Sequence, residues 1–188
     1  FHSSPLGRGV DAASSPAVRD YVDTLFLELA HWGDQLGGSE VQSVFFGGGT
    51  PSLLSPRIIG LTMERINKYF KLAPKAEVTL EANPESLRGG HRAAQYLDVG
   101  INRLSIGVQS MDEGMLRLLG RPHKAQDSLH VAFLAREAGC ANINLDLMWG
   151  LPGQSVRQWL QTLKDVIRMA PDHISAYGLT LEPGTPIE

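Results

Sequence analysis

Five short apolar runs, each ending in a polar or glycine residue, constrain the fold of this 188-residue chain more than any other feature. They end near Gly47, Glu81, Gln109, Asp146 and Tyr177, at intervals of 34, 28, 37 and 31 residues. Each interval is the length of one strand-plus-helix unit, and such alternation marks a parallel sheet with helical crossovers. The expected strands are 43–47, 77–82, 103–109, 142–147 and 173–178. Between them, Val18, Tyr21, Val22, Leu25, Phe26, Leu29 and Trp32 follow helical spacing until Gly37 and Gly38. Ser55 caps a helix whose inner face is Ile59, Met63, Ile66 and Phe70. Ser155 caps another, in which Trp159, Leu160, Leu163, Val166 and Ile167 are expected to face inward. Pro84 opens a weaker helix over 85–98, interrupted at Gly89-Gly90, and two more follow near 112–119 and 125–138. Residues 3–16 are rich in Ser, Gly and Pro and read as a loop. No linker divides the chain, which is expected to be one α/β domain.

Parity within the strands says what the sheet encloses, because successive side chains point to opposite faces. One face carries Thr79 and Glu81, then Ser105, Gly107 and Gln109, then Asn142, Asn144 and Asp146, then His173, Ser175 and Tyr177. The other carries Val78, Leu80, Leu104, Ile106, Val108, Ile143, Leu145, Leu147, Ile174 and Ala176. The apolar face suits outer helices, which makes the polar face the interior of a barrel. An ordinary eight-stranded barrel fills that interior with branched apolar side chains. An open doubly wound sheet requires apolar residues on both faces. Each unsatisfied buried polar group costs about 1–3 kcal/mol, so this interior is expected to be wet or to hold a ligand.

Ligands of parallel α/β folds sit at the carboxyl ends of the strands, where Gly47-Gly48-Gly49, Glu81, Gln109 and Asp146 fall. The glycines are expected to present free backbone N–H and C=O groups, although an ordinary tight turn is the plainer alternative. Two carboxylates and an amide serve amines and hydroxyls, and Arg121 suits a ligand carboxylate. Together they match a molecule with an ammonium, a carboxylate and a ribose. A net charge of -3 gives no basic footprint for nucleic acid, and no apolar stretch is long enough to span a bilayer. The lone Cys140 excludes an internal disulfide framework, suits a reducing compartment and reads as a small core residue. The histidines show no metal-ligand spacing, and His31, His91 and His130 read as surface or structural.

Six ordered motifs add to this: Phe45 to Pro51 (FFGGGTP), Leu80 to Pro84 (LEANP), Arg103 to Ser110 (RLSIGVQS), Gly120 to His123 (GRPH), Asp146 to Gln154 (DLMWGLPGQ) and Tyr177 to Pro186 (YGLTLEPGTP). From about Tyr21 onward the chain resembles the radical S-adenosylmethionine enzymes, specifically the oxygen-independent coproporphyrinogen III oxidase family and its heme-chaperone branch. The resemblance implies a partial (βα)6 barrel with five of six parallel strands present and helices outside. It also implies S-adenosylmethionine as cofactor. Gly47, Gly48, Gly49 and Thr50 match the site of the methionyl amino group, Arg121 that of the carboxylate, and Gln109 with Asp146 that of the ribose. Glu81 matches either the amine or a ribose hydroxyl; His123 belongs to a motif but carries no assigned role.

The family's CxxxCxxC loop, whose thiolates hold a [4Fe–4S] cluster, has no counterpart here. Phe1-His2-Ser3-Ser4 resembles the stretch just after that loop. Residues 1–188 are therefore expected to be a radical-SAM core fragment, lacking the cluster loop, the first strand and any C-terminal domain. The implied function of the intact protein is heme binding and delivery to acceptor proteins. The alternative is oxidative decarboxylation of coproporphyrinogen III, in either case with an electron donor such as a flavodoxin or ferredoxin, in the cytoplasm. A cluster-free lyase or hydrolase using Glu81 and Asp146 is a third reading, and it requires a proton-transfer partner that only His173 approaches.

Overall fold

The computed structural model describes residues 15–89, 91–181 and 183–184, so all but the last two residues of the expected 3–16 loop lie outside it. Chain order gives α1 (Pro16–Leu36), β1 (Glu40–Phe46), a 3-10 turn (Pro51–Leu53), α2 (Pro56–Tyr69), β2 (Lys71–Ala82) and a second 3-10 turn (Pro84–Leu87). There follow α3 (Arg92–Asp98), β3 (Arg103–Gln109), α4 (Glu113–Leu118), α5 (Ala125–Glu137), β4 (Asn142–Trp149), α6 (Val156–Ile167) and β5 (His173–Gly178). The five strands pair in sequence order, every pair parallel, as a curled half-barrel with helices outside.

The expected parity holds across the sheet. Val78, Leu80, Leu104, Ile106, Val108, Ile143, Leu145 and Leu147 are buried in one core with Ile59, Met63 and Ile66 of α2 and Val131 and Ala135 of α5. Register aligns the opposite face too: Glu81 lies beside Ser105, Ser105 beside Asn144, and Asn144 beside His173. One step nearer the carboxyl ends, Gly107, Asp146 and Ser175 form the next row. The Ser55 side chain accepts from the Ile58 N–H at 3.3 Å, and Ser155 forms a reciprocal capping box with Gln158.

Several boundaries differ from expectation. β2 starts six residues early and runs through Pro74, which is accommodated where the pairing with β1 shifts between Val41 and Ser43. β4 runs two residues further, to Trp149, so Asp146 lies inside the strand rather than at its end. The helix expected over 85–98 is a 3-10 turn followed by α3, with Gly90 outside the described residues. On α6, Leu160 and Ile167 are 48% and 61% exposed rather than inward. The stripe that meets the core is Trp159, Leu163 and Val166; the other two lie outside it. α1 approaches α2 through Gly33, where a Cβ would lie 2.4 Å from the Tyr69 ring.

The turn after the glycine loop is held from below by Tyr96 of α3. This side chain is fully buried, and its hydroxyl lies 2.8 Å from the carbonyl oxygens of Ser52 and Leu54. Tyr96→Phe leaves both carbonyls without that donor, and is expected to cost about 1–3 kcal/mol. Urea unfolding checks this: the midpoint should fall at constant slope, and an unchanged midpoint would count against the role given to the hydroxyl.

Candidate functional site

The apolar run of β1 ends at Phe46, and Gly47, Gly48 and Gly49 follow as exposed backbone. Gly48 has φ 118°, a conformation that favours glycine, and a Cβ at Gly48 or Gly49 would meet nothing within 4 Å. The space beside this loop is therefore open. The Gly48 N–H is not free, contrary to expectation: it donates to the Glu81 carboxylate at 3.0 Å. Glu81, next to last in β2, thus bridges the polar face of the sheet and the glycine loop.

The end of β3 is built differently. Register with β4 slips between Gly107 and Gln109, and Gln109 adopts φ 64°. A non-glycine residue in that region marks local strain held by its surroundings. The distortion turns the Gln109 side chain back over Gly107, where an added Cβ would lie 2.8 Å from Gln109 Nε2 and 2.9 Å from Asn83 Oδ1. Gly107 is therefore glycine because two side chains occupy its inner face. Asn83 Nδ2 donates to Thr50 Oγ1 at 3.2 Å, and Asn83 Oδ1 accepts from Arg121 Nη1 at 3.3 Å. Among the described residues, the Gln109 amide makes no hydrogen bond, though the residue is buried.

Deeper along the same face, polarity is satisfied by the protein itself. Asp146 accepts from Ser105 Oγ at 2.9 Å and from Asn144 Nδ2 at 2.7 Å. Asn144 also donates to Ser105 and accepts from His173 Nδ1 at 2.6 Å and Ser175 Oγ at 3.1 Å. His173 is the first residue of β5, far along the strand from its carboxyl end, which removes the proton-transfer partner of a lyase or hydrolase.

The structure thus gathers Gly47, Gly48, Gly49, Thr50, Glu81, Gln109 and Arg121 toward the carboxyl ends, with Asp146 beside Gly107, one row below Gln109 and one above the row of Glu81. Sequence reasoning missed Asn83, which ties Thr50 to Arg121, although its place in LEANP before a proline was a signal. It also gave no role to His123. That side chain is fully enclosed, with Nδ1 3.1 Å from Glu85 Oε2 and Nε2 3.3 Å from the Val108 carbonyl. Burial of Glu85 opposes its ionised form. It is outweighed by hydrogen bonds from His123 and from Glu85's own backbone N–H, and by the charges of His123 and Arg121, so the carboxyl titrates below its ordinary range.

A cleft adjoins this site on the outside of the glycine loop, and Cys140 lies apart from it. The cleft, of about 390 Å³, opens beside β1, lined by Tyr21, Leu25, Leu29, Phe46 and Leu54, with Gly47 and Gly49 at its rim. Its wall is mainly apolar, unlike the carboxylate and amide groups of the inner face. Cys140 is buried just before β4, at the amino end of the sheet, and burial pushes its thiol pKa up. Among the described residues, no group of three or more His, Cys, Asp or Glu side chains is placed to hold a metal ion, and no helix is long and apolar enough to cross a membrane.

Residues 14–166 match the Radical SAM superfamily, and the chain belongs to it. It is 46% identical over 180 residues to the bovine (Bos taurus) mitochondrial radical S-adenosyl methionine domain-containing protein 1, covering 96% of this chain and 39% of that protein. It is 43% identical over 166 residues to the heme chaperone HemW of Escherichia coli, covering 88% of this chain and 44% of the chaperone. The chain therefore spans about two fifths of the length of these curated relatives. Among solved structures, the coproporphyrinogen III oxidase HemN of Escherichia coli, described as a radical SAM enzyme, superposes with a TM-score of 0.81 at 30% identity. That match covers 88% of this chain and 38% of the oxidase.

Membership of the superfamily implies S-adenosylmethionine and a [4Fe–4S] cluster. The open glycine loop, the unpartnered Gln109 amide and the inward carboxylates fit the first. A single buried cysteine at the far end of the sheet does not fit the second, so cluster ligands are not among these 188 residues.

The Glu85 environment makes a pH prediction. Its folded-state pKa is depressed, so its contribution to stability is fully present above its unfolded value and is lost as pH falls through the folded one. Thermal midpoints should therefore drop below about pH 4, and Glu85→Gln should flatten that acid limb. Superimposable profiles for the two proteins would show that the carboxylate does not set it.

Proposed function

We propose that this chain is the S-adenosylmethionine-binding core of a heme chaperone. The observation that carries the reading is the convergence of the glycine loop, Glu81, Gln109 and Arg121 at the carboxyl ends of a sheet whose inner face is polar. Likeness to the Escherichia coli chaperone along most of the chain supports the heme part.

In this reading the backbone at Gly47–Gly49 and Thr50 receives the methionyl amino group, with Glu81 as its acceptor or that of a ribose hydroxyl. Arg121 meets the carboxylate with the part of its planar fork not engaged by Asn83. Gln109 and Asp146 meet the ribose, Gln109 through its unpartnered amide and Asp146 through carboxylate lone pairs left beyond its two bonds. S-adenosylmethionine bound to a reduced cluster is a source of the 5′-deoxyadenosyl radical. The residues here bind the cofactor, fix its orientation and enclose it on one side. Cluster thiolates, the first strand and the heme site belong to other parts of the protein, which takes electrons from a flavodoxin- or ferredoxin-like donor and passes heme to acceptor proteins. A reducing compartment suits a protein of this kind. That compartment is the cytoplasm in our reading, while the vertebrate relatives carry "mitochondrial" in their names.

The second reading is oxygen-independent coproporphyrinogen III oxidation, favoured by the superposition on the oxidase. An anaerobic assay of the full-length, cluster-loaded protein with coproporphyrinogen III, a reductant and S-adenosylmethionine separates the two. A stable heme complex with no loss of propionates is expected. Multiple turnovers to protoporphyrinogen with release of carbon dioxide would replace the chaperone by the oxidase. In the same protein, Asp146→Ala and Glu81→Ala should each weaken S-adenosylmethionine binding by about 1–3 kcal/mol, the scale of a hydrogen bond to a charged group. Calorimetric titration giving unchanged affinity in both variants would refute the roles assigned to these carboxylates.

A further inference from the structure

His123 is a fully enclosed histidine beside the candidate site that the cofactor reading does not use. Both of its ring nitrogens face oxygen acceptors: Nδ1 the Glu85 carboxylate and Nε2 the Val108 carbonyl. A neutral imidazole carries one N–H and serves one of them; an imidazolium serves both. The charged groups around it come from three elements. Glu85 faces it from the second 3-10 turn and Asp127 from the first turn of α5, while Arg121 lies on its own loop. Asp127 is itself tied to Arg88 at 2.5 Å, which leaves Glu85 as the direct counterion of the ring.

Each contact leads to a cofactor-facing residue. Val108 lies in the register slip of β3 and directly precedes Gln109 with its φ of 64°. Its carbonyl also accepts from the Ser110 N–H at 2.8 Å, so the distorted turn is held from both sides of Gln109. Glu85 belongs to the turn capped by Asn83, which receives Arg121 and contacts Thr50. Arg121 is two residues before His123, with its backbone N–H fixed on the Leu116 carbonyl at 2.9 Å.

We propose that His123 is a positioning residue, protonated on both ring nitrogens, that pins the Gln109 turn to the Asn83–Arg121 pair and so holds two strand-end loops in the arrangement that receives S-adenosylmethionine. The inference rests on the cofactor reading above and adds a residue that touches no part of the cofactor. The doubly protonated state is part of the proposal, since the ring meets two oxygens and only an imidazolium donates to both. Substitution changes which loops are held together, not the groups that meet the ligand.

The test uses full-length, cluster-loaded protein with nitrogen-labelled histidine rings, His123→Gln and Glu85→Gln. In the parent, NMR at neutral pH should show both His123 ring nitrogens bearing hydrogen. Glu85→Gln should lose one of those hydrogens while keeping its circular dichroism. Anaerobic calorimetry with S-adenosylmethionine should give affinities about tenfold weaker in His123→Gln, and in Glu85→Gln a smaller loss, the expected pattern for breaking a charge-assisted hydrogen bond one step from the ligand. If His123→Gln does not fold, Glu85→Gln alone decides. A bare ring nitrogen in the parent, or parental affinity in a folded variant, overturns the positioning role while the cofactor reading stands. No S-adenosylmethionine binding by the parent overturns the cofactor reading, and this inference with it.

Discussion

One primary amide, that of Asn144, organises the inner face of the sheet. It sits in the middle of β4, buried, and uses both ends of its side chain: the amino group toward Ser105 and Asp146, the carbonyl toward His173 and Ser175. Three strands are thereby cross-linked on the side that faces away from the helices. A buried polar face is tolerable only when its groups find partners, and networks that are fully satisfied rigidify the structure that holds them. Arg103 extends the pattern to β2 through Thr79 at 3.3 Å. The lower part of the half-barrel is therefore closed by its own hydrogen bonds, and the unpaired capacity is left at the carboxyl ends, around Gln109 and the glycine loop.

That division matters for what the fold can do. The rigid lower layer fixes Asp146 by two short bonds before any ligand arrives, so its free lone pairs already point in a set direction. The upper layer is assembled from turns: the Gly48 loop on Glu81, Asn83 on Thr50, Arg121 on Asn83, His123 on Glu85 and Val108. Loops on a rigid scaffold are where binding residues concentrate, and here each loop is fastened to the next by a polar side chain rather than by apolar packing. β1, one of the two edge strands, has a different neighbourhood, with the apolar cleft beside it and an exposed Phe45.

Much of this was legible in the sequence because strand parity is a strict rule. Thr79, Ser105, Asn144 and Ser175 alternate with Leu80, Leu104, Leu145 and Ile174, and the parallel register brings the polar set together. The caps at Ser55 and Ser155 were legible for the same reason, since each precedes a helical apolar stripe. What was not legible depends on the backbone leaving its regular path. A bulge between Gly107 and Gln109 sets the direction of the Gln109 amide, and nothing local in RLSIGVQS announces a positive φ at a glutamine. Gly48 donates to a carboxylate 33 residues away, which turned an expected free N–H into an internal bond. Leu160 and Ile167 look inward on a helical wheel, but the core takes only the stripe of Trp159, Leu163 and Val166 from that helix.

The family likeness itself divides along these lines. The oxidase superposes on this half-barrel and the chaperone resembles it in sequence, so the polar network does not by itself separate the two proposed functions. A fold hosts function through the site grafted on it. In the proposed reading these residues supply the backbone, amide, guanidinium and carboxylate groups of the cofactor's amino-acid and ribose side, while the one cysteine of the sequence is the buried Cys140. The choice between carrying heme and decarboxylating its precursor then rests on what faces the open side of the sheet. A propionate brought to the proposed site would meet Arg121, already shared with Asn83. In the proposed reading, an inner face of neutral amide and hydroxyl groups with the carboxylates of Asp146 and Glu81 among them suits a nucleoside better than a polycarboxylate.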